Sequence, residues 1–196
     1  ILKGKVQKVY PMQCKINGKH WRYGMCYFTI GMFAEACAVF DAPKTRKTLR
    51  KGGRKTIFSL MTLVKWWFKN HRRRFMPETF LLGDASEDFA ERKGVSDYMA
   101  VNGKTVAKIM KGDGWFRNKT GFLSMTGCMT KFHKLVPMML RSVFKQVPGD
   151  ESDYDCLVFP KAAEIMIQAE GDYKKIAGVR TVEIAKVEKP LLVVAK

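Results

Sequence analysis

The chain has 196 residues, of which 46% are apolar and 12% aromatic, and its formal net charge is +18. This content excludes a disordered polyelectrolyte and is sufficient for one compact domain or two small ones. No apolar run approaches the ~20 residues that span a bilayer, and the first residues lack the pattern of a secretory signal peptide. We therefore expect an intracellular, non-secreted protein, without distinguishing cytoplasm, organelle and virion.

The positive charge is concentrated in the first third of the chain. Residues 1–75 contain 18 Lys and Arg but only two acidic residues, whereas residues 76–196 contain 18 basic and 16 acidic residues. Such asymmetry indicates a polyanionic partner, nucleic acid first and an anionic membrane second. It also suggests a basic region, 1–75, followed by a balanced region, 76–196, with one continuous domain over 1–196 as the equal alternative.

Cysteine usage indicates a reducing compartment. The five cysteines are odd in number and widely spaced, and they lack the C-x-x-C pairs on which zinc ribbons depend. Cys14, His20, Cys26 and Cys37 could surround a zinc ion, but their irregular spacing does not favour one. We expect no metal and no cofactor.

A β-hairpin is predicted near the N-terminus. Asn17-Gly18 lies between alternating apolar and polar residues, which is the strongest short hairpin signal. Closing the turn there pairs Cys14 with Trp21 and places Trp21 and Tyr23 on one mostly apolar face. We expect this face to point at the core, with an exposed stacking surface for bases as the alternative. A basic strand over residues 3–10 precedes this hairpin, and a strand over 27–30 and a helix over 33–41 follow it.

Two cationic segments come next. Residues 44–55 contain seven basic residues among twelve and no acidic residue, a composition suited to a phosphate backbone. Residues 57–75 predict a helix whose apolar stripe, with spacing i, i+3, i+4, includes Trp67 and Phe68 and faces the core. Trp66 lies off this stripe, so it suits base stacking or a membrane interface.

The balanced region predicts a mixture of helices and strands. We expect helices over 85–93, 128–147 and 160–170, a second hairpin over 98–110, an acidic cluster over 150–155, and strands over 157–159, 179–187 and 191–194. The fold class predicted is therefore α+β. It consists of a basic N-terminal β-hairpin and helix unit followed by a region of mixed helices and antiparallel strands.

Motifs of enzymes are scarce. The three histidines are isolated, and neither a Gly-x-Ser-x-Gly elbow nor a nucleotide-binding glycine loop is present. Asp155, Glu183 and Lys186 only loosely resemble a metal-dependent nuclease site, because the separations are unusual. The sequence therefore leans against an enzyme without deciding the question.

The leading hypothesis is a non-catalytic structural protein of a nucleoprotein assembly, such as a ribosomal particle, a viral nucleocapsid or a capsid. It would bind RNA more readily than DNA, through phosphates and with little sequence specificity. The alternatives are a metal-dependent nuclease or recombinase, and a peripheral protein that meets an anionic membrane with Trp66, Trp67 and Arg72 to Arg74. The predicted nucleic-acid-binding residues are Lys15, Lys19, Arg22, Lys44, Arg46, Lys47, Arg50, Lys51, Arg54, Lys55, Lys65, Trp66, Lys69, Arg72, Arg73 and Arg74.

Overall fold

The computed structural model describes residues 5–43, 45, 55–84, 88–102, 122–128, 130–131, 133–134 and 150–195. Two helices lie in these ranges, α1 (Met32–Asp41) and α2 (Lys55–Asn70). The strands are β1 (Lys5–Val9), β2 (Met12–Ile16), β3 (Lys19–Gly24), β4 (Tyr27–Gly31), β5 (Thr79–Gly83), β6 (Phe89–Lys93), β7 (Asp97–Asn102), β8 (Phe122–Gly127), β9 (Asp150–Ser152), β10 (Tyr154–Ala169), β11 (Asp172–Lys186) and β12 (Leu191–Ala195).

The predicted α+β class is wrong, because the described structure is mostly antiparallel β-sheet. Strands account for 58% and helices for 18% of the described residues. The strand over 3–10, the strand over 27–30, the helix over 33–41 and the strand over 191–194 are confirmed as β1, β4, α1 and β12. The error therefore comes from residues 76–196, where segments assigned to helices form strands.

Ten strands form one sheet around β10. Their order is β3-β2-β11-β10-β4-β7-β8-β9, and β5, with β6 beside it, pairs with another part of β10. The C-terminal end of β10 pairs with β4, and its N-terminal part pairs with β5. Strands from 1–75 and from 76–196 are thus neighbours in one sheet, while the division into two regions remains a prediction.

The core is formed by side chains from strands that are distant in sequence. The largest fully buried side chains include those of Tyr98, Phe28, Phe80, Phe122 and Phe159. Each of these residues belongs to a different strand. The burial of these rings is what joins strands that are distant in sequence.

The helix predicted over 160–170 is instead the second half of β10. Ala163, Ile165 and Ile167 are buried in alternation, which is the period of a strand and not of a helix. Glu170 and Gly171 have φ values of 54° and 90°, and they form the two-residue turn into β11. Gly171 therefore serves a hairpin turn where the sequence pattern suggested the end of a helix.

The helix predicted over 85–93 is also wrong where the structure describes it. Residues 89–93 form β6, which pairs with β5 from Thr79↔Lys93 to Gly83↔Phe89. A capping-box pattern is short and local, so pairing with a neighbouring strand overrides it. Residues 85–87, the second half of the hairpin over 98–110, and nearly all of the helix over 128–147 lie outside the described residues.

The N-terminal hairpin forms at its predicted turn with a different register. Asn17 and Gly18 have φ values of 51° and 74°, as the turn requires. An irregularity between Cys14 and Lys15 shifts the pairing, so Cys14 faces Arg22 and not Trp21. As a result Trp21 packs partly buried against the core, but Tyr23 is 55% exposed, contrary to the prediction.

Candidate functional site

Helix α2 exposes several residues of the apolar stripe that was predicted to face the core, whereas Trp67 of that stripe is half-buried. Met61, Val64 and Phe68 are 52%, 43% and 63% exposed, and their spacing of three and four residues places them on one side of the helix. Lys65 and Lys69 are exposed on the same side or beside it. We call these five residues the outer face of α2. It combines exposed apolar groups with cations.

The opposite side of α2 holds the helix to the protein. The Trp66 ring is half-buried with its centroid 5.8 Å from that of the buried Phe75. After the helix ends, Arg73 Nη2 lies 2.6 Å from Glu35 Oε1 of α1, and the Arg73 guanidinium lies 5.3 Å from the centre of the Phe75 ring. These contacts fix which side of α2 is exposed, and they direct Trp66 inward.

A groove of about 520 Å³ lies where the segment after α2 passes β10. Its apolar lining includes Phe75 and Met76, both buried. Its charged lining consists of two cations and two carboxylates, all exposed, namely Arg74, Lys161, Glu78 and Glu164. The complete lining consists of residues 74–79 and 160–164. We call it the Arg74 groove. An apolar wall beside cations suits a ligand with an apolar part and a negative or polar end.

An irregularity of β10 forms one wall of the Arg74 groove. The pairing of β10 with β11 is interrupted between Val158 and Ala163, which frees residues 160–162 from the ladder. The carbonyl of Pro160 accepts a hydrogen bond of 2.7 Å from Arg180 Nη1, and Lys175 Nζ lies 2.5 Å from Glu164 Oε1. The wall is thereby anchored to β11 at both ends.

The rim of the groove contains opposite charges in pairs. Arg74 Nη1 lies 3.0 Å from Glu78 Oε2, and both side chains are largely exposed. An exposed pair of this kind contributes little to stability, about 0 to 1 kcal/mol, so it can exchange its partner for a ligand at small cost. Arg74 is therefore available to an anionic group that enters the groove.

A polar cluster lies inside the core, away from the groove. Tyr98 Oη donates a hydrogen bond of 2.6 Å to Asp155 Oδ2, and both residues are buried. Burial, and then the Asp155 carboxylate, raise the pKa of Tyr98 well above its usual value. Asp97 accepts a hydrogen bond of 2.6 Å from the backbone of Phe33 at the start of α1. This cluster fixes β7, β10 and α1 relative to one another.

The described residues hold no group of three or more His, Cys, Asp or Glu side chains that could bind a metal ion. Within the predicted acidic cluster, Asp155 is buried and bonded to Tyr98, and Asp153 Oδ1 lies 3.7 Å from Lys186 Nζ. Burial and the nearby Glu183 raise the pKa of the Cys14 thiol to about 12, so this cysteine is protonated at neutral pH.

The predicted site residues fall into separate groups. Lys15, Lys19 and Arg22 belong to the β2–β3 hairpin, where Arg22 forms an ion pair with Asp172 and Lys15 is half-buried. A second group surrounds α2 and its C-terminal end, and its cations are exposed where their side chains are described. This group consists of Lys55, Lys65, Lys69, Arg72, Arg73 and Arg74. Six others lie outside the described residues, namely Lys44, Arg46, Lys47, Arg50, Lys51 and Arg54.

Sequence reasoning missed the groove and the exposed apolar residues of α2. Lys161 was assigned to a helix, so its position beside Arg74 could not be foreseen. Met61, Val64 and Phe68 were recognised as a stripe, but a stripe does not state whether protein or another medium covers it. No helix among the described residues is long and apolar enough to span a membrane.

No family model and no curated protein matches this sequence. Among solved structures, the chain is similar to a candidate diacylglycerol kinase from Bacillus anthracis str. Sterne, with a TM-score of 0.52 and 10% sequence identity. The match covers 93% of this chain and 55% of that chain, so the chain spans about half the length of the protein it resembles. At this identity the likeness concerns the fold.

The comparison contradicts the leading hypothesis of a structural nucleic-acid-binding protein. The fold resembles that of the candidate diacylglycerol kinase, and this likeness overturns the expectation of a ribosomal or capsid protein. The charge misled because Lys and Arg report only that a partner is anionic and do not specify its class. A nucleic-acid partner remains an untested prediction. The fold of this chain is therefore similar to that of part of the candidate diacylglycerol kinase.

Proposed function

We propose that this chain is part of a phosphotransferase that phosphorylates the hydroxyl group of a lipid such as diacylglycerol. The observation that carries the proposal is the likeness over 93% of the chain to a candidate diacylglycerol kinase. Because the chain spans 55% of that protein, the proposed activity belongs to the whole protein in which this chain occurs. The described residues supply a lipid-facing part of it.

The Arg74 groove is the proposed position of the lipid acceptor. Diacylglycerol has apolar acyl chains and a small polar end with one hydroxyl, and the groove offers an apolar wall formed by Phe75 and Met76 beside two cations. Its volume of about 520 Å³ accommodates the polar end and the first part of the acyl chains. The remainder of each chain can stay in a lipid phase.

The reaction transfers the γ-phosphoryl group of ATP to the lipid hydroxyl. A bond forms between the hydroxyl oxygen and the γ-phosphorus, the bond from that phosphorus to the bridging oxygen of ADP breaks, and the hydroxyl proton leaves to solvent or a base. Negative charge accumulates on the transferred group and remains on the phospholipid product. Arg74 and Lys161 stabilise this charge when the acceptor occupies the groove.

The test measures lipid phosphorylation by the full natural protein. Radiolabelled ATP, magnesium and diacylglycerol in detergent micelles are incubated with the protein, and the label is extracted into organic solvent. A labelled phospholipid that depends on both substrates is expected. If a known diacylglycerol kinase labels the same micelles and this protein does not, the proposal is wrong.

A variant pair tests the position of the acceptor. Lys161→Ala removes a cation from the groove, and we expect lipid phosphorylation to fall at least about tenfold because charge on the phosphoryl group loses a partner. Lys189→Ala removes an exposed lysine far along the chain and is the matched control, with activity unchanged. Equal activity of both variants would place the acceptor elsewhere.

A further inference from the structure

The outer face of α2 exposes more apolar surface than a solvated helix requires. Met61, Val64 and Phe68 present consecutive apolar groups to solvent over two turns, while Trp66 on the other side is already packed against Phe75. Contiguous exposed apolar surface is unfavourable in water and marks a place where another phase or molecule makes contact. A contact partner with an apolar component is therefore needed.

The sequence around this stripe is cationic. No acidic residue occurs between residues 42 and 77, whereas Lys65, Lys69 and Arg72 are exposed on or beside the outer face. Arg72 lies two residues beyond the end of α2 and adds an exposed cation after the stripe. The partner must therefore be anionic as well as apolar.

An anionic bilayer surface satisfies both requirements. A helix that lies in the interface buries its apolar side at the level of the acyl chains, while its Lys and Arg side chains extend to the head groups. RNA fits less well, because Met61 and Val64 have nothing apolar to contact on a phosphate backbone and Trp66 is turned inward. A second copy of the same face is disfavoured by repulsion between like charges.

We propose that α2 lies flat on the anionic membrane that contains the lipid substrate, with Met61, Val64 and Phe68 inserted and Lys65, Lys69 and Arg72 at the head groups. This inference rests on the proposed function, because a lipid kinase must meet its substrate at a bilayer surface. Arg74 follows α2 by four residues and lines the groove. The helix would thus hold the Arg74 groove at the depth of the head groups.

The experiment measures binding of the full natural protein to vesicles by co-sedimentation. One set of vesicles contains phosphatidylcholine alone, and the other contains phosphatidylcholine and phosphatidylglycerol in equal parts. We expect the protein to prefer the anionic vesicles. The double variant Met61→Ser, Phe68→Ser and the double variant Lys65→Gln, Lys69→Gln should each weaken that binding about tenfold, through lost apolar burial and lost charge respectively.

Matched controls carry equivalent changes outside α2. Tyr23→Ser with Tyr173→Ser removes exposed aromatic groups, and Lys19→Gln with Lys189→Gln removes exposed charges, in both cases away from α2. Vesicle binding of these controls should equal that of the natural protein. Because all altered side chains are exposed, unchanged melting temperatures are expected and exclude unfolding as the cause.

Two results would overturn the inference. One is equal vesicle binding by the natural protein and the Met61, Phe68 variant. The other is tight RNA binding that depends on the same residues, with no binding to anionic vesicles.

Phosphorylation of a short-chain, water-soluble diacylglycerol distinguishes failure of this inference from failure of the proposed function. Loss of vesicle binding with activity on the soluble lipid retained supports the inference, whereas inactivity of the natural protein on any diacylglycerol refutes only the proposed function.

Discussion

At the scale of single residues, the buried pair Tyr98 and Asp155 illustrates how a strand-rich core accommodates polar groups. The phenol donates to the carboxylate over 2.6 Å, and neither residue has access to water. Such a hydrogen bond contributes modestly when it is made, but leaving its partner unsatisfied costs about 1 to 3 kcal/mol. Sequence patterns did not identify this pair, because they grouped Asp155 with an acidic cluster and with a loose nuclease-like set and not with Tyr98.

Tyr98→Phe should change both stability and its dependence on pH. We expect a loss of about 1 to 3 kcal/mol in the free energy of unfolding at neutral pH, since Asp155 loses its donor. Burial, and then Asp155, raise the pKa of Tyr98 above its ordinary value of 10.0, so above pH 10 the unfolded chain loses a proton that the folded chain retains. The contribution of Tyr98 to stability is therefore complete below pH 10 and declines as the pH rises beyond it.

Urea unfolding at several pH values between neutrality and the alkaline range checks this expectation. The natural protein should lose stability more steeply above pH 10 than Tyr98→Phe does, and the difference between the two slopes isolates Tyr98 from other alkaline groups such as Cys14. Parallel slopes would show that the phenol is not the group whose titration is coupled to folding.

At the scale of elements, one local sequence pattern can be compatible with more than one secondary structure. The strands β1 and β4, the turn at Asn17 and helix α1 were predictable because their patterns are local. The course of β10 was not, since Pro160 and Gly171 suit the ends of a helix as well as a bulge and a turn. Only pairing with β11, β4 and β5 decides between them, and that pairing involves distant parts of the chain.

The junction between β4 and α1 requires glycine at position 31, the last residue of β4. Its φ is 96°, and a Cβ placed there would lie 2.2 Å from the carbonyl oxygen of Ser96 and 2.9 Å from Cγ of Met76. Gly31→Ala should therefore destabilise the protein by well over the ~1 kcal/mol that a positive φ alone costs. Gly94→Ala is the matched control, because Gly94 also has a positive φ, 63°, but open space around it.

Thermal unfolding of the two variants measures the difference. Gly94→Ala should show only the cost of the backbone conformation, while Gly31→Ala should melt at a clearly lower temperature. Similar melting temperatures for both would indicate that β4 and α1 meet less closely than the structure describes.

At the scale of the whole molecule, charge and fold supply different information. The net charge of +18 and its concentration in residues 1–75 were evident from the sequence, and they predict an anionic partner. The ten-stranded sheet and its likeness to a candidate diacylglycerol kinase were not evident, because they depend on pairings between distant strands. The Arg74 groove is likewise assembled from segments more than eighty residues apart.

The excess positive charge predicts a stability that increases with salt. Cations near α2 repel one another. At about 0.15 M ionic strength, counterions largely screen the repulsion between charges more than about 8 Å apart. We expect the melting temperature to rise between low and physiological ionic strength, measured with two monovalent salts of different anions. A melting temperature that stays constant or falls would contradict a dominant repulsion within the basic region.

The cations of the β2–β3 hairpin have a consequence that does not depend on any ligand. Strand β3 ends the described order of the ten-stranded sheet, so its outer backbone groups are open to another strand. Lys19 and Arg22 project from this strand, and charged side chains on an edge oppose the approach of an identical edge from a second molecule. Residues that were predicted to bind nucleic acid thus also disfavour aggregation through pairing of this edge with strands of other molecules.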